Sequence, residues 1–131
     1  MSTTTTIAYT GNSAGNIRSS ASLAASGTAN YDLDYSTKLE GQIHVLNTPG
    51  GSVAATRGVR IDVYRRYGAS PTTGQTPFQS FTLPSATAST AESMDLFLGA
   101  GKYNLKITNL DATNAVTVEI TGDTLDSLTT A

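Results

Sequence analysis

The sequence predicts an all-β fold, an antiparallel sandwich of two sheets, and three observations predict it. Apolar residues recur at every second position in run after run. No window carries the apolar spacing of a helix. Thr, Ser, Ala and Gly are abundant, while charged residues make up only 14% of the chain. Alternation with a period of two belongs to strands that bury one face and wet the other. The small-residue bias works against helix, because Thr is branched at Cβ, Ser and Asn compete for backbone hydrogen bonds, and Gly costs conformational entropy. At 131 residues the chain has the usual length of one domain. Folding at that size buries roughly two thirds of the surface exposed by the unfolded chain, enough for a core without staples.

Residues 1–28 come first and predict an extended N-terminal arm. They carry no charge before Arg18, and Ile7 and Tyr9 alternate with small polar neighbours as in a short strand. The run Gly11-Asn12-Ser13-Ala14-Gly15-Asn16 has too little apolar surface to order itself. Such an arm gains order by lying on something else, or else it is a flexible terminus.

Residues 29–131 predict the sandwich domain. Tyr31, Leu33 and Tyr35 alternate with Asn30, Asp32 and Asp34, and Leu39, Gly41, Ile43 and Val45 alternate with Glu40, Gln42 and His44. Val59, Ile61 and Val63 oppose Arg60, Asp62 and Tyr64; Phe81 and Leu83 anchor a strand after Pro77. Met94, Leu96 and Leu98 oppose Asp95 and Phe97, Tyr103, Leu105 and Ile107 oppose Lys102, Asn104 and Lys106, and Val116, Val118 and Ile120 oppose Thr117, Glu119 and Thr121. Turn residues separate these runs at 47–51, 68–74, 99–101 and 109–114. The short links at 99–101 and 109–115 predict consecutive hairpins. The tail from Asp123 to Ala131 alternates weakly and reads as a last strand or a second arm. Because each apolar sheet face needs a cover, two stacked sheets fit better than one.

Composition also limits function. There is no cysteine, so neither disulfides nor thiolate metal sites contribute, and a cytosolic origin is expected. A formal charge of −2 lacks the basic excess of domains that bind nucleic acid through bulk charge. The start, Met1-Ser2-Thr3-Thr4-Thr5-Thr6, has no basic or apolar region of a signal peptide, and no apolar run reaches membrane-spanning length. A soluble protein made in the cytoplasm is the expectation, with no membrane partner.

No catalytic constellation emerges. His44 is the sole histidine, on the predicted wet face of a strand, and no serine sits in a Gly-x-Ser-x-Gly elbow. One histidine without cysteine is too little for a histidine-based zinc site. Asp32 and Asp34 share a strand face near Glu40, yet no calcium-loop pattern follows them. The glycine-rich stretch from Gly50 to Gly58 lacks the Gly-Lys-Ser/Thr ending of a phosphate loop and leads into no helix. No catalytic residue, metal ligand or cofactor is therefore assigned. The strongest cluster is Arg57, Arg60, Arg65 and Arg66, interleaved with Tyr64 and Tyr67. Guanidinium forks and rigid phenol rings suit a docking edge for an acidic protein surface. An edge strand guarded by charge against aggregation is the equal alternative. Together with Ile7 and Tyr9 of the arm, these residues form the candidate partner-binding set.

The run Leu98-Gly99-Ala100-Gly101-Lys102-Tyr103-Asn104-Leu105-Lys106-Ile107-Thr108-Asn109 resembles the penultimate strand of immunoglobulin-like and jelly-roll sandwiches, with residues 115–121 as the closing strand. The chain as a whole, with its uncharged Thr/Ser/Ala-rich arm and its lack of cysteine, resembles small virion proteins of tailed bacteriophages, head decoration or cement proteins being the nearest type. That resemblance rests on style over the whole length and carries over no residue by position. It implies a non-enzymatic structural protein on the capsid surface, bound to the major capsid protein or neighbouring virion proteins and forming homo-oligomers on the particle. The alternative expectation is a carbohydrate-binding or adhesive module of a fibre or secreted protein, with Tyr64, Tyr67 and Phe97 as its aromatic platform.

Overall fold

The computed structural model describes residues 5–11, 17–50, 57–66, 76–85 and 90–130, with 5–11 and 126–130 described as backbone only. Among them run nine strands: β1 (Thr5–Gly11), β2 (Arg18–Leu23), β3 (Thr28–Asp34), β4 (Glu40–Pro49), β5 (Val59–Arg65), β6 (Gln79–Leu83), β7 (Glu92–Gly99), β8 (Lys102–Asn109) and β9 (Val116–Thr130). Every pairing is antiparallel. Sheet A has the order β1-β9-β4-β7 with β2 also on β9; sheet B has the order β3-β8-β5-β6.

The connections distinguish between the two sandwich types. From β2 to β9 the chain changes sheet at every step except β5 to β6, which pair side by side. This is a jelly roll, in which strands near in sequence face each other across the core. The links at 99–101 and 109–115, expected as hairpins, are therefore corners: β7 and β9 lie in sheet A, and β8 between them lies in sheet B. A short glycine-containing link serves a return within one sheet or a crossing to the other, so its length does not separate the two. The first corner turns on Gly101 at φ +145°, whose carbonyl accepts the Tyr35 N–H at 2.7 Å. The second is knitted by Asn109, whose buried amide donates to the carbonyls of Leu23, Ala24 and Asn114 at 3.3, 3.2 and 2.8 Å. Its Oδ1 accepts the Asp111 N–H at 3.0 Å, replacing the ladder bonds that a hairpin would have made.

The alternating registers point inward as the sequence predicts. Ile43, Val59, Ile61, Val63, Leu105, Ile107, Val118 and Ile120 are wholly buried between the sheets. Each such side chain contributes about 1.5–3 kcal/mol relative to exposure. Leu39 departs from the pattern: it precedes β4, stays outside the ladder and is 48% exposed. Asn104 faces outward as expected but is covered, because it donates to Asp32 Oδ1 at 3.0 Å on the neighbouring strand. The cluster-bearing strand β5 lies between β8 and β6, so the expectation of a charge-guarded edge strand does not hold.

Residues 1–28 supply two of the strands. β1 pairs with Asp123–Thr130 and β2 with residues 116–120, end to end along one edge of β9. The boundary placed at residue 28 thus falls within sheet-forming chain, since Leu23 of β2 is part of the core. Arg18 fixes β2 in place. Its Nε donates to Val118 O at 3.1 Å, Nη1 to Tyr31 Oη at 2.7 Å, and Nη2 to Ala21 O and Ser22 O at 3.2 and 2.9 Å.

Candidate docking surface at one end of the sandwich

β9 is longer than the strands it joins. Its partner β4 covers it from Val116 to Leu125, where Glu40 faces Leu125. Beyond that point β9 pairs with β1 alone, through residues 127–130, Asp126 standing at the irregularity between Ala8 and Tyr9. The tail thus continues β9, and it runs out with β1 as a two-stranded ribbon. At about 3.4 Å per residue, the uncovered part of β9 is roughly 17 Å long. Among the described residues, no strand pairs with the outer edge of β1, and none but β1 pairs with β9 past Leu125.

The end of the sandwich from which the ribbon leaves also gathers apolar surface. Leu39 donates its N–H to Leu125 O at 2.9 Å, at the ribbon's root, and its side chain is exposed. Phe97 of β7 lies opposite Gln42 on the outer face of sheet A and is 58% exposed. Phe78 enters β6 at the same end, hydrogen-bonded from its N–H to Val63 O at 2.7 Å, and is 46% exposed. Leu39, Phe78 and Phe97 are three of the four exposed large apolar side chains among the described residues; Leu46 is the fourth. Isolated apolar side chains are ordinary on a surface; these three stand at the end of the sandwich from which the open strand edges leave.

The arginine–tyrosine cluster is spread over this end and the outer face of sheet B. Arg65 lies with its guanidinium 4.6 Å from the Phe78 ring centroid and 5.6 Å from that of Tyr103, a stacked cation on aromatic faces. Arg66 Nη1 reaches Asp32 Oδ2 at 2.8 Å and is largely covered. Arg60 Nε donates to Asp62 Oδ2 at 3.0 Å, and the buried Asp62 also accepts the Ser80 hydroxyl at 2.6 Å. Arg57 is exposed ahead of β5, and Tyr64 is half-buried on the outer face of sheet B. Tyr67 lies outside the described residues, and of Ile7 and Tyr9 only the backbone in β1 is described. Among the described members, Arg60 pairs with Asp62 on its own strand, Arg66 ties the end of β5 to β3, and Arg65 flanks the exposed Phe78. A platform joining Tyr64 to Phe97 is not formed, since they occupy the outer faces of opposite sheets.

His44 stands on the outer face of sheet A, with Nδ1 2.5 Å from Asp95 Oδ1 and Nε2 3.2 Å from Asp123 Oδ2. Asp95, then Asp123, raise its pKa above the ordinary value against the opposing effect of partial burial. Both ring nitrogens face carboxylates, so neither is aimed at a hydroxyl as a nucleophile's base would be. The carboxylates also address opposite edges of the ring and converge on no common point for a metal. On sheet B, Asp34 Oδ1 accepts from the Ser36 hydroxyl and N–H at 2.5 and 3.0 Å, which holds its pKa below the usual carboxylate value.

Nothing in the sequence marks Arg18, Leu39 or Phe78, because each owes its role to a partner distant in the chain.

No family model and no curated protein matches the chain. Among solved structures, a family 35 carbohydrate binding module from an environmental isolate shares 14% identity at a TM-score of 0.49, covering 82% of this chain and 72% of that one. The PRD1 vertex protein P5 shares 14% at 0.46, covering 89% and 94%. The carbohydrate-binding module CBM36, in complex with calcium and xylotriose, shares 14% at 0.42 over the whole of both chains. Likenesses this remote assign no ligand or partner to the present chain.

Proposed function

We propose that this chain is a non-catalytic structural module that joins a larger protein assembly through the β1–β9 ribbon and the apolar surface at its root. The assembly to which the style of the sequence points is a phage capsid, which the module would decorate or cement by contacts with the major capsid protein and with copies of itself. One observation supports this reading above the others: a strand pair leaves the sandwich with open edges, among exposed Leu39, Phe78 and Phe97. An open edge pairs with a neighbour's strand through main-chain hydrogen bonds, and such pairing asks little of the side chains. A lone two-stranded ribbon is marginal in water, so a neighbour's surface stabilises it.

Cosedimentation with capsids lacking the chain tests the reading. The intact chain is expected to bind. A chain starting at residue 17, or the full-length variant Thr6→Pro, which removes a β1 backbone donor, is expected to bind at least tenfold more weakly. Undiminished binding by both variants while they remain folded defeats the ribbon; no binding by the intact chain defeats the capsid. The carbohydrate-binding reading keeps one surface, Phe97 beside Gln42 and Asp123 on sheet A. A glycan array without a hit, or with a hit that survives Phe97→Ala, removes it.

A further inference from the structure

The outer face of sheet A presents an unusual charge pattern around the root of the ribbon. Across β7, β4 and β9 the outward positions carry Asp95, Glu40, Glu119 and Asp123, with His44 as the one basic group among them. His44 sits on the central strand of the three and reaches both neighbours, Asp95 on β7 and Asp123 on β9. Asp123 is also the residue that opens the β9 segment paired with β1, opposite Gly11.

The protonation state follows from hydrogen-bond arithmetic. A neutral imidazole has one N–H: it satisfies one carboxylate and turns a lone pair toward the other, where two acceptors repel. Only the imidazolium donates from both nitrogens at once. The surrounding carboxylates add a negative potential that favours the same form.

We propose that His44 is an imidazolium clamp that ties β7 to β9 across β4 and thereby regulates the ribbon end, tightening it when the ring is charged and slackening it when the ring loses a proton. As a device acting on docking it rests on the reading of that end given above; as a clamp it stands on the isolated chain. The charged ring is favoured by the fold, so its contribution is fully present below about pH 6.5, the value of a free imidazole. It is lost as pH rises through the higher, folded-state midpoint.

The chain has a single histidine, so one imidazole C–H resonance in the proton NMR spectrum reports the clamp without ambiguity. Its titration midpoint in the full chain is expected above 6.5, lowered by Asp95→Asn and to a smaller extent by Asp123→Asn. Amide exchange at residues 121–125, corrected for the intrinsic rate, is expected to quicken roughly two- to fivefold as pH rises through that midpoint, the equivalent of one exposed ion pair. His44→Gln is expected to abolish this dependence. A midpoint at or below 6.5, or one unmoved by both substitutions, overturns the clamp whatever the chain binds. A normal clamp titration with capsid binding equal on both sides of the midpoint overturns the regulation, and absence of binding at every pH overturns the docking reading instead.

Discussion

The ring of Tyr35 occupies the space that a side chain at position 41 would need. A Cβ placed on Gly41 would lie 2.2 to 2.6 Å from three atoms of that buried ring, closer than any real contact. Gly41→Ala is therefore expected to destabilise the fold by about 1–3 kcal/mol, the usual range for overpacking, as a fall in the urea midpoint at unchanged slope. The sequence shows Gly41 as a gap in the inward series of Leu39, Ile43 and Val45, but not what fills it, because the ring arrives around a corner from the preceding strand. Arg18 was less legible still. It stands in a stretch of small polar residues, and its four hydrogen bonds join carbonyls and a phenol that come together only once β2, β3 and β9 are in place. Arg18→Ala leaves Tyr31 Oη and Val118 O without these donors and is expected to cost about 1–3 kcal/mol, read by the same denaturation curve. The arginines on β5 and just after it show the reverse. As residue types they suggested docking, yet Arg60 and Arg66 spend their guanidinium groups on Asp62 and Asp32 within the chain. Position along a strand gives the face of a side chain but not its cross-strand neighbour.

At the scale of elements, inside and outside were readable and connections were not. Period two sorted β3, β4, β5, β7, β8 and β9 into buried and wet faces with few exceptions. The same residues gave no indication that β7, β8 and β9 alternate between sheets, since a link such as Gly99-Ala100-Gly101 serves equally well as a hairpin or as a corner. Nor did they show that β1 and β2 lie along β9 of the same chain, 93 to 125 residues away in sequence. β2 carries Leu23 into the core, whereas β1 pairs with β9 alone. Removing residues 1–16 is therefore expected to leave thermal unfolding of the body cooperative, with stability changed by no more than about 1 kcal/mol. Phe97→Ser is expected to leave stability within about 0.5 kcal/mol, because the ring is mostly in water, while capsid binding falls. A large drop in melting temperature for either variant would show that the ribbon end is part of the body's own support.

For the whole molecule, alternation and the need to cover apolar faces were enough to predict a two-sheet sandwich. The choice of jelly roll was not available from the sequence, because it depends on which strands pair over long separations. β3 with β8, β4 with β9 and β5 with β8 are all such pairs. That topology has a kinetic consequence. Few native pairings are local, the β5–β6 hairpin being the main one, so loops must close before most contacts form. Refolding in stopped-flow is expected on the millisecond-to-second scale of non-local β proteins; a microsecond phase that recovers full native signal would contradict it.

β9 belongs to two structures at once, the body of sheet A and the ribbon that leaves it. Hydrogen bonds between antiparallel strands lie across the strand axis. A pull on the ribbon along its length therefore loads the ladder between β4 and β9, ten residue pairs from Glu40 to Pro49, in shear. The pairs share the strain and yield together instead of peeling one by one, so the module is built to hold against tension entering from the ribbon.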